Sequence, residues 1–404
     1  STRSWCSTNA STSALRLGVI SRFISSNFKR LTKHPSAPPI FGCWGVSTSG
    51  GRLHKVCYTT LTMSETPEET PVVEPEFVHL HVHSMYSLLN AVPTPKELVA
   101  AAKEDGQTML AITDAGTLYG AIDFYKQCSY GDVKPIIGID AFLAPRTRHD
   151  KEVNIDKPRS RLVLLAKTFK GYQNLIQLIT KANTEGFYYR PRIDDELLNE
   201  LKEDLICIIP SFAGEVAQAL KDGYDEKAAE RLDWYKKTFG DDCYLEISHH
   251  PEMFGHNSNQ DKIKDLATKT NTPLVAAHDV YYMKPEDRIA RETMMKIQSG
   301  GVVDMTADSA EDFSFTTQAQ MKEWFADTPE ALSNTVKIAK QCNVEIVLGQ
   351  EAWVFPNYTI ESGREPDDEL QVTAYEGVKW RGLDINDEEV KTRLDYELEV
   401  IKMK

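Results

Sequence analysis

Residues 77–116 have the pattern of a strand, a helix and a second strand: FVHLHVHSMYSLLNAVPTPKELVAAAKEDGQTMLAITDAG. Residues 77–83 and 109–113 are short runs of β-type residues, and TPKELVAAAKEDG between them has apolar residues at helical spacing. Thr94 and Pro95 are typical of a helix N-terminus, and Gly106 is typical of a helix end. The stretch therefore predicts a strand connected through a helix to a second strand.

The same pattern repeats along the chain. Further strands are predicted at residues 134–144, 161–166, 205–210, 243–248 and 273–280, with amphipathic segments between most of them. Such alternation indicates parallel strands with helices outside, and seven units favour a barrel because closure removes both sheet edges. We expect an α/β fold, a distorted (β/α)7 TIM-like barrel, followed from residue 286 by a mainly helical segment.

Composition and charge limit the class of protein. The 404 residues are 41% apolar and 26% charged, which is a soluble globular composition, and no apolar run approaches the roughly 20 residues of a membrane span. The net charge is −14, and residues 1–62 contribute eight positive charges and no acid, so residues 63–404 carry −22. A region with this net negative charge repels nucleic acid overall, so we expect the main contacts with any DNA to be made elsewhere.

The basic first 62 residues are excluded from the fold. Their composition fits an organelle transit peptide, but MSETPEETPVVEPEF from Met63 resembles an ordinary start, which favours upstream translated sequence. Residues 63–76 are then an acidic linker. The seven cysteines include no C-x-x-C pair, which argues against disulfides and a zinc ribbon and favours a cytoplasmic location.

Histidine and aspartate recur where the predicted strands end. Alternate residues of a strand share one face, so His81 and His83 lie together near the end of the first strand. In parallel α/β barrels, sites form at the carboxyl ends of the strands, and imidazole and carboxylate are ligands for zinc, manganese or iron. Each residue alone has a plainer interpretation, as a core histidine or a helix cap. The candidate ligands are His81, His83, Asp114, Asp140, His250 and Asp279.

Two neighbouring histidines are assigned other positions. We expect His79 to be buried behind the site and His249 to face away from His250.

Several segments together resemble one known family. FVHLHVHSMYSLLNA (77–91), LAITDAGTLYGAIDFY (110–125), YLEISHH (244–250) and LVAAHDVYY (274–282) follow, in order, the PHP (polymerase and histidinol phosphatase) domain of bacterial DNA polymerase III α subunits. MMKIQSGGVVD (294–304) and RLDYELEVI (393–401) resemble the same polymerases and not free-standing phosphatases. The resemblance covers residues 77–404.

The resemblance implies domains and an activity. It places a PHP domain at 77–285, a helical extension at 286–356 and the truncated start of a polymerase palm region at 357–404. The whole protein would be a DNA-directed DNA polymerase using Mg²⁺, template-primer DNA and dNTPs through downstream domains. Its partners would include other replisome subunits, among them a separate exonuclease and the sliding clamp. The family's polymerase acids follow the RLDYELEVI segment, so we expect no catalytic residue and no polymerase activity in this chain alone.

The resemblance also implies a degraded metal site. Where the family has metal ligands, this sequence has Asn90 for Asp and Ala115, Arg161 and Tyr281 for His, while Asp140 stands for a longer Glu. We expect a mainly structural remnant in which Arg161 pairs with Asp140 or Asp114, with at most one residual Zn²⁺ or Mn²⁺. Two alternatives stay open: an active metal-dependent phosphoesterase or 3′–5′ proofreading exonuclease, and a non-catalytic replisome docking module.

Overall fold

The computed structural model describes residues 75–300, 311–349 and 358–403. Seven strands form one sheet in the order β1-β2-β3-β5-β6-β7, with β4 paired to β2. The strands are β1 (Met109–Ala115), β2 (Lys134–Leu143), β3 (Ser160–Ala166), β4 (Arg192–Ile193), β5 (Leu205–Ile209), β6 (Cys243–Ile247) and β7 (Leu274–Ala276). The predicted leader, residues 1–62, and the acidic linker as far as residue 74 lie outside the described residues.

Strand β3 runs opposite to its neighbours. It pairs antiparallel with β2 and with β5, whereas β1–β2, β2–β4, β5–β6 and β6–β7 are parallel pairs. The expectation of uniformly parallel strands is therefore wrong at β3. The connection from β2 contains only the four-residue helix α3 (Val153–Asp156) in place of the longer helix that usually makes a parallel crossover. The start of β3 consequently lies beside the end of β2, with Arg161 opposite Phe142.

The segment 77–83 closes the sheet without forming a regular strand. His79 and Val82 accept backbone hydrogen bonds from β1, and the His83 amide donates to Val280 O beyond β7. The Thr113 hydroxyl accepts from Val82 N at 2.8 Å and donates to Val82 O at 3.1 Å, which replaces part of the backbone ladder. The seven predicted strands thus included this segment and lacked β4, while the predicted class, a distorted TIM-like α/β barrel, is confirmed.

Helices connect the strands through residue 270. The Thr94 prediction is confirmed: its side chain forms a reciprocal capping box with Glu97, and Pro95 is the first residue of helix α1. The helices of this part, besides α3, are α1 (Pro95–Glu104), α2 (Ala121–Gly131), α4 (Phe169–Thr184), α5 (Asp195–Leu201), α6 (Glu215–Lys221), α7 (Asp225–Phe239) and α8 (His256–Thr270).

The chain after β7 is mainly helical where it is described, as expected. Its helices are α9 (Arg288–Gln298), α10 (Gln318–Trp324), α11 (Pro329–Gln341), α12 (Pro366–Trp380) and α13 (Glu388–Lys402). Helix α11 buries Val336 and Ala339 in the same apolar cluster as Val78 and Leu80, and Thr335 Oγ1 accepts from Val78 N at 3.0 Å. This helix therefore completes the barrel core.

Of the helices that the structure describes, none combines the length and the apolar character needed to cross a membrane.

Candidate metal site at the rim of the barrel

His81 is surrounded by three carboxylates. Its Nε2 lies 3.3 Å from Asp140 Oδ2, and its Nδ1 lies 2.9 Å from Glu246 Oε2 and 3.1 Å from Asp279 Oδ1. Asp140 is near the end of β2, Glu246 is in β6 and Asp279 follows β7, so the curled sheet brings three strands to one imidazole. All four side chains are buried.

The charge of His81 follows from these neighbours. Burial alone lowers the pKa of His81, but Asp279, Glu246 and Asp140 outweigh it and raise the pKa well above the ordinary value. Burial raises the pKa of Glu246, against the opposing effect of His81. Burial also raises the pKa of Asp279, but His81 outweighs this effect and the net pKa is lowered. The imidazole is therefore a buried cation that neutralises part of the carboxylate charge.

A second cation, Arg161, binds the far side of the cluster. Its Nε donates to Asp140 Oδ1 at 2.8 Å and its Nη2 donates to Asp140 Oδ2, which makes a two-point pair. Burial alone raises the pKa of Asp140, but Arg161 and His81 outweigh it and lower the pKa to about 2. The antiparallel β3 is the reason that a residue from the start of a strand reaches this rim.

His83 completes the group on the Arg161 side. Its ring stacks on Tyr281 with centroids 4.3 Å apart, its Nδ1 lies 3.3 Å from Ser87 Oγ, and its Nε2 lies 3.5 Å from Asp140 Oδ2. Burial, which outweighs Asp140, lowers the pKa of His83 well below its usual value. A neutral imidazole at this position can offer a lone pair to a metal ion.

The donor atoms form two overlapping groups. His81, His83 and Asp140 make one, and His81, Glu246 and Asp279 make the other, with the ligand atoms of each within 4.8 Å of one another. In the first group both Asp140 oxygens bind the Arg161 guanidinium, which places a positive charge beside any incoming ion. The second group has three donors, enough for one zinc-type ion once His81 loses its proton. The donor set therefore fits one ion better than several.

Two sequence-predicted candidates have other partners. Asp114 Oδ1 accepts from Ser84 N and Ser87 Oγ, each at 2.7 Å, and Oδ2 accepts from Ser84 Oγ at 2.8 Å, so Asp114 holds the turn after His83. Burial raises the pKa of Asp114 to about 6 despite these bonds. His250 Nδ1 lies 3.3 Å from Glu252 Oε1, and its ring stacks on His278. Neither residue belongs to the two donor groups found among the described residues.

Glu246 is the residue that sequence reasoning missed. It is 1% exposed, and besides His81 it binds Ser211, whose amide donates to Oε1 at 3.0 Å. The sequence signal for it is a carboxylate inside CYLEI, a strand of otherwise uncharged residues. An isolated acid is seldom buried, so an acid in such a strand indicates a buried partner.

The two histidines that were set aside have separate surroundings. His79 is buried, its Nε2 lies 2.8 Å from Thr316 O, and its ring packs on Phe315. His249 stacks on Trp324 and is partly exposed, whereas His250 is buried. The burial of His79 agrees with its expected position.

Residues 79–250 match the family model described as PHP domain, and this range contains His81, His83, Asp140 and Glu246 of the donor groups. A DNA polymerase III subunit alpha from Borreliella burgdorferi is 36% identical over 330 residues, covering 80% of this chain and 28% of that protein. One from Deinococcus radiodurans is 37% identical over 325 residues, covering 75% of this chain and 24% of that protein. The chain is similar to bacterial DNA polymerase III α subunits over 75–80% of its own length, and it spans under a third of the length of these relatives.

Among solved structures, an amidohydrolase from Chromobacterium violaceum aligns with 50% of this chain and 87% of its own. The identity is 12% and the TM-score is 0.33, which is too low to bear on the argument.

Proposed function

We propose that this chain is the N-terminal portion of a replicative, DNA-directed DNA polymerase of the cytoplasm, in which the PHP domain supports the rest of the polymerase. The support is the family of the curated relatives together with α11, which packs into the barrel core. DNA template-primer, dNTPs and Mg²⁺ would be bound by parts of the protein beyond this chain. Partners would include other replisome subunits, a separate exonuclease and the sliding clamp among them.

We propose further that the PHP metal site is mainly structural. The observation that carries this proposal is the two-point pair of Arg161 with Asp140, beside the protonated His81. By resemblance, the family's complete sites bring metal ions to these carboxylates, and two side-chain cations would take their place here. Breaking a buried pair of this kind is costly, so the cluster holds the ends of β2, β6 and β7 together.

One residual ion is the alternative with specific support. His81, Glu246 and Asp279 form a three-donor group that Arg161 does not pair with directly. A single Zn²⁺ or Mn²⁺ there could activate water, which is the minimum for a phosphoesterase or a proofreading exonuclease.

Elemental analysis separates these functions. The chain, purified without chelator and passed through gel filtration, should contain well below one equivalent of zinc or manganese. Two or three equivalents, together with metal-dependent release of 3′ nucleotides from single-stranded DNA, would establish the hydrolase instead. In a primer-extension assay with Mg²⁺ and dNTPs, a full-length protein should extend the primer and this chain alone should not; extension by this chain would contradict its assignment as a part without polymerase acids.

A further inference from the structure

Arg192 in β4 is a fully buried cation that has no part in the proposed function. Within the part of the chain that the structure describes, no carboxylate lies at ion-pair distance from its guanidinium. Burial lowers the pKa of Arg192, against the opposing effect of Asp156 and other nearby acids. A charge in such a position is strongly unfavourable unless its donors are all bound, so the partners of this side chain show what it holds.

Backbone carbonyl oxygens are the partners of Arg192. Its Nε donates to Gly186 O at 3.1 Å. Its two Nη atoms donate to three carbonyl oxygens of the connection between β2 and β3: Asp156 O at 3.1 Å, Arg148 O at 3.2 Å and Asp150 O at 2.8 Å. The rigid, planar guanidinium thus gathers backbone from two separate segments, as a bound metal cation does in other proteins.

The connection between β2 and β3 has almost no apolar core of its own. Of residues 145–159, only Arg148 and Asp156 are buried, and the carbonyl oxygens of both accept hydrogen bonds from Arg192. Salt bridges made by the same two side chains add to this anchor. The path of the connection therefore depends on polar bonds that converge on one guanidinium.

Arg192 and Arg161 flank the same residue of β2. Phe142 pairs with Arg192 of β4 on one side and with Arg161 of β3 on the other. The connection held by Arg192 enters β3 at Ser160, one residue before Arg161. A change in the path of the connection therefore moves Arg161, whose Nε donates to Asp140 Oδ1 at 2.8 Å.

We propose that Arg192 is the positioning residue for the Arg161–Asp140 pair. Its guanidinium is an internal cation around which the β2–β3 connection folds, and the fixed connection brings the start of β3 to the rim of the barrel. This inference rests on the proposed structural role of the pair and adds the residue that sets its geometry. A lysine at this position keeps the charge but lacks the planar fork that binds carbonyl oxygens in several directions.

Hydrogen exchange at Arg161 tests this role in the whole chain labelled with ¹⁵N-arginine. The Nε–H signal of Arg161, assigned by its loss in Arg161→Lys, should exchange at least about tenfold faster in Arg192→Lys than in the parent chain. Arg393→Lys, on the exposed face of α13, is the matched control and should leave this exchange unchanged. Unchanged exchange in folded Arg192→Lys would overturn the proposal. The proposed function is decided separately, by the metal content of the parent chain.

Rescue by free guanidinium covers a substitution that weakens or prevents folding. Arg192→Ala leaves the carbonyl oxygens converging on an empty, guanidinium-shaped space. Guanidinium chloride at about 20 mM, far below denaturing concentrations, should restore about half of the loss in thermal midpoint, or restore folding if it is lost. The same concentration of sodium chloride should not, and neither salt should shift the midpoint of Arg393→Ala. An absence of rescue, or an equal effect of sodium chloride, would show that Arg192 does not act as an internal cation.

Discussion

The two sides of the His81 ring face different surroundings. On the Nε2 side, Asp140 is already bound at two points by Arg161. On the Nδ1 side, Glu246 and Asp279 meet His81 with no direct contact from an arginine among the described residues. Both sides are built from strand ends of one sheet, so the same scaffold supports an ion pair in one half and a three-donor group in the other. The Arg161 guanidinium, which pairs with Asp140, distinguishes the Nε2 side from the Nδ1 side.

Restoring the family's metal ligands should have the largest effect on the difference between the two sides of His81, measured as a change in metal content. The variant Asn90→Asp, Ala115→His, Arg161→His and Tyr281→His replaces a cation and three poor donors by metal ligands. Its metal content should rise from below one equivalent to two or more, because metal binding to such donor sets contributes on the order of 10 kcal/mol. The measurement is elemental analysis after gel filtration.

The matched control removes the same side chains without adding donors: Asn90→Ala, Arg161→Ala and Tyr281→Ala, with Ala115 unchanged. Its metal content should not rise to two equivalents. A folded four-site variant with unchanged metal content would show that these positions have been matched to the wrong family motifs.

Removing the Arg161 cation alone should be strongly destabilising. Arg161→Met leaves Asp140 buried, with its side chain only 2% exposed and without its main counter-charge. The free energy of unfolding should fall by about 3–5 kcal/mol in urea denaturation. Lys237→Met, which breaks the exposed Lys237–Asp233 pair on α7, should cost no more than about 0.5 kcal/mol.

A second variant separates lost pairing from lost packing. Adding Asp140→Leu to Arg161→Met removes the uncompensated charge and should recover part of the stability. If Arg161→Met is as stable as the parent chain, the ion pair does not hold this half of the site.

A substitution on the Nδ1 side of His81 should lower the free energy of unfolding by less than Arg161→Met does. In Glu246→Gln, the amide oxygen can still accept the hydrogen bond from Ser211. The amide NH₂ group then faces the protonated His81, so the charge-assisted hydrogen bond between residue 246 and His81 is lost. The expected loss is about 2 kcal/mol in the free energy of unfolding, with any residual metal lost as well. Glu226→Gln on the exposed face of α7 is the control and should change stability by less than about 0.5 kcal/mol. Full retention of metal by Glu246→Gln would remove this side as the residual site.

The smallest expected effect is that of Asp114→Asn. Near neutral pH this variant should change the free energy of unfolding by about 1 kcal/mol. The folded pKa of Asp114, about 6 because of burial, lies above the unfolded value of about 3.9. The folded state therefore holds this proton more tightly, and stability should decrease as pH rises from about 4 to about 6. Asp114→Asn should lack this decrease, measured as the difference between the two unfolding profiles. Parallel profiles would mean that the Asp114 pKa is not raised.

Much of the site was predictable because strand ends place alternate residues on one face. His81, His83, Asp140 and Asp279 lie together as predicted, and the alternative that Arg161 pairs with Asp140 is the one seen in the structure. Glu246 was missed because the search of the strand ends considered histidine and aspartate, and the end of this strand was represented by His250. Asp114 and His250 follow the same local patterns as the other candidates, but the nearby Ser84, Ser87 and Glu252 bind them instead.

The sequence by itself determined the class of fold, since the alternation of apolar strands with capped helices leaves few ways to bury the core. It also determined which side chains were available at the rim. Only the tertiary structure decided that β3 runs antiparallel, since strand direction depends on how the chain returns to the sheet and not on residue pattern. That reversal brings Arg161 to Asp140 and puts three arginines around Phe142, because side chains distant in sequence meet only once the sheet has curled.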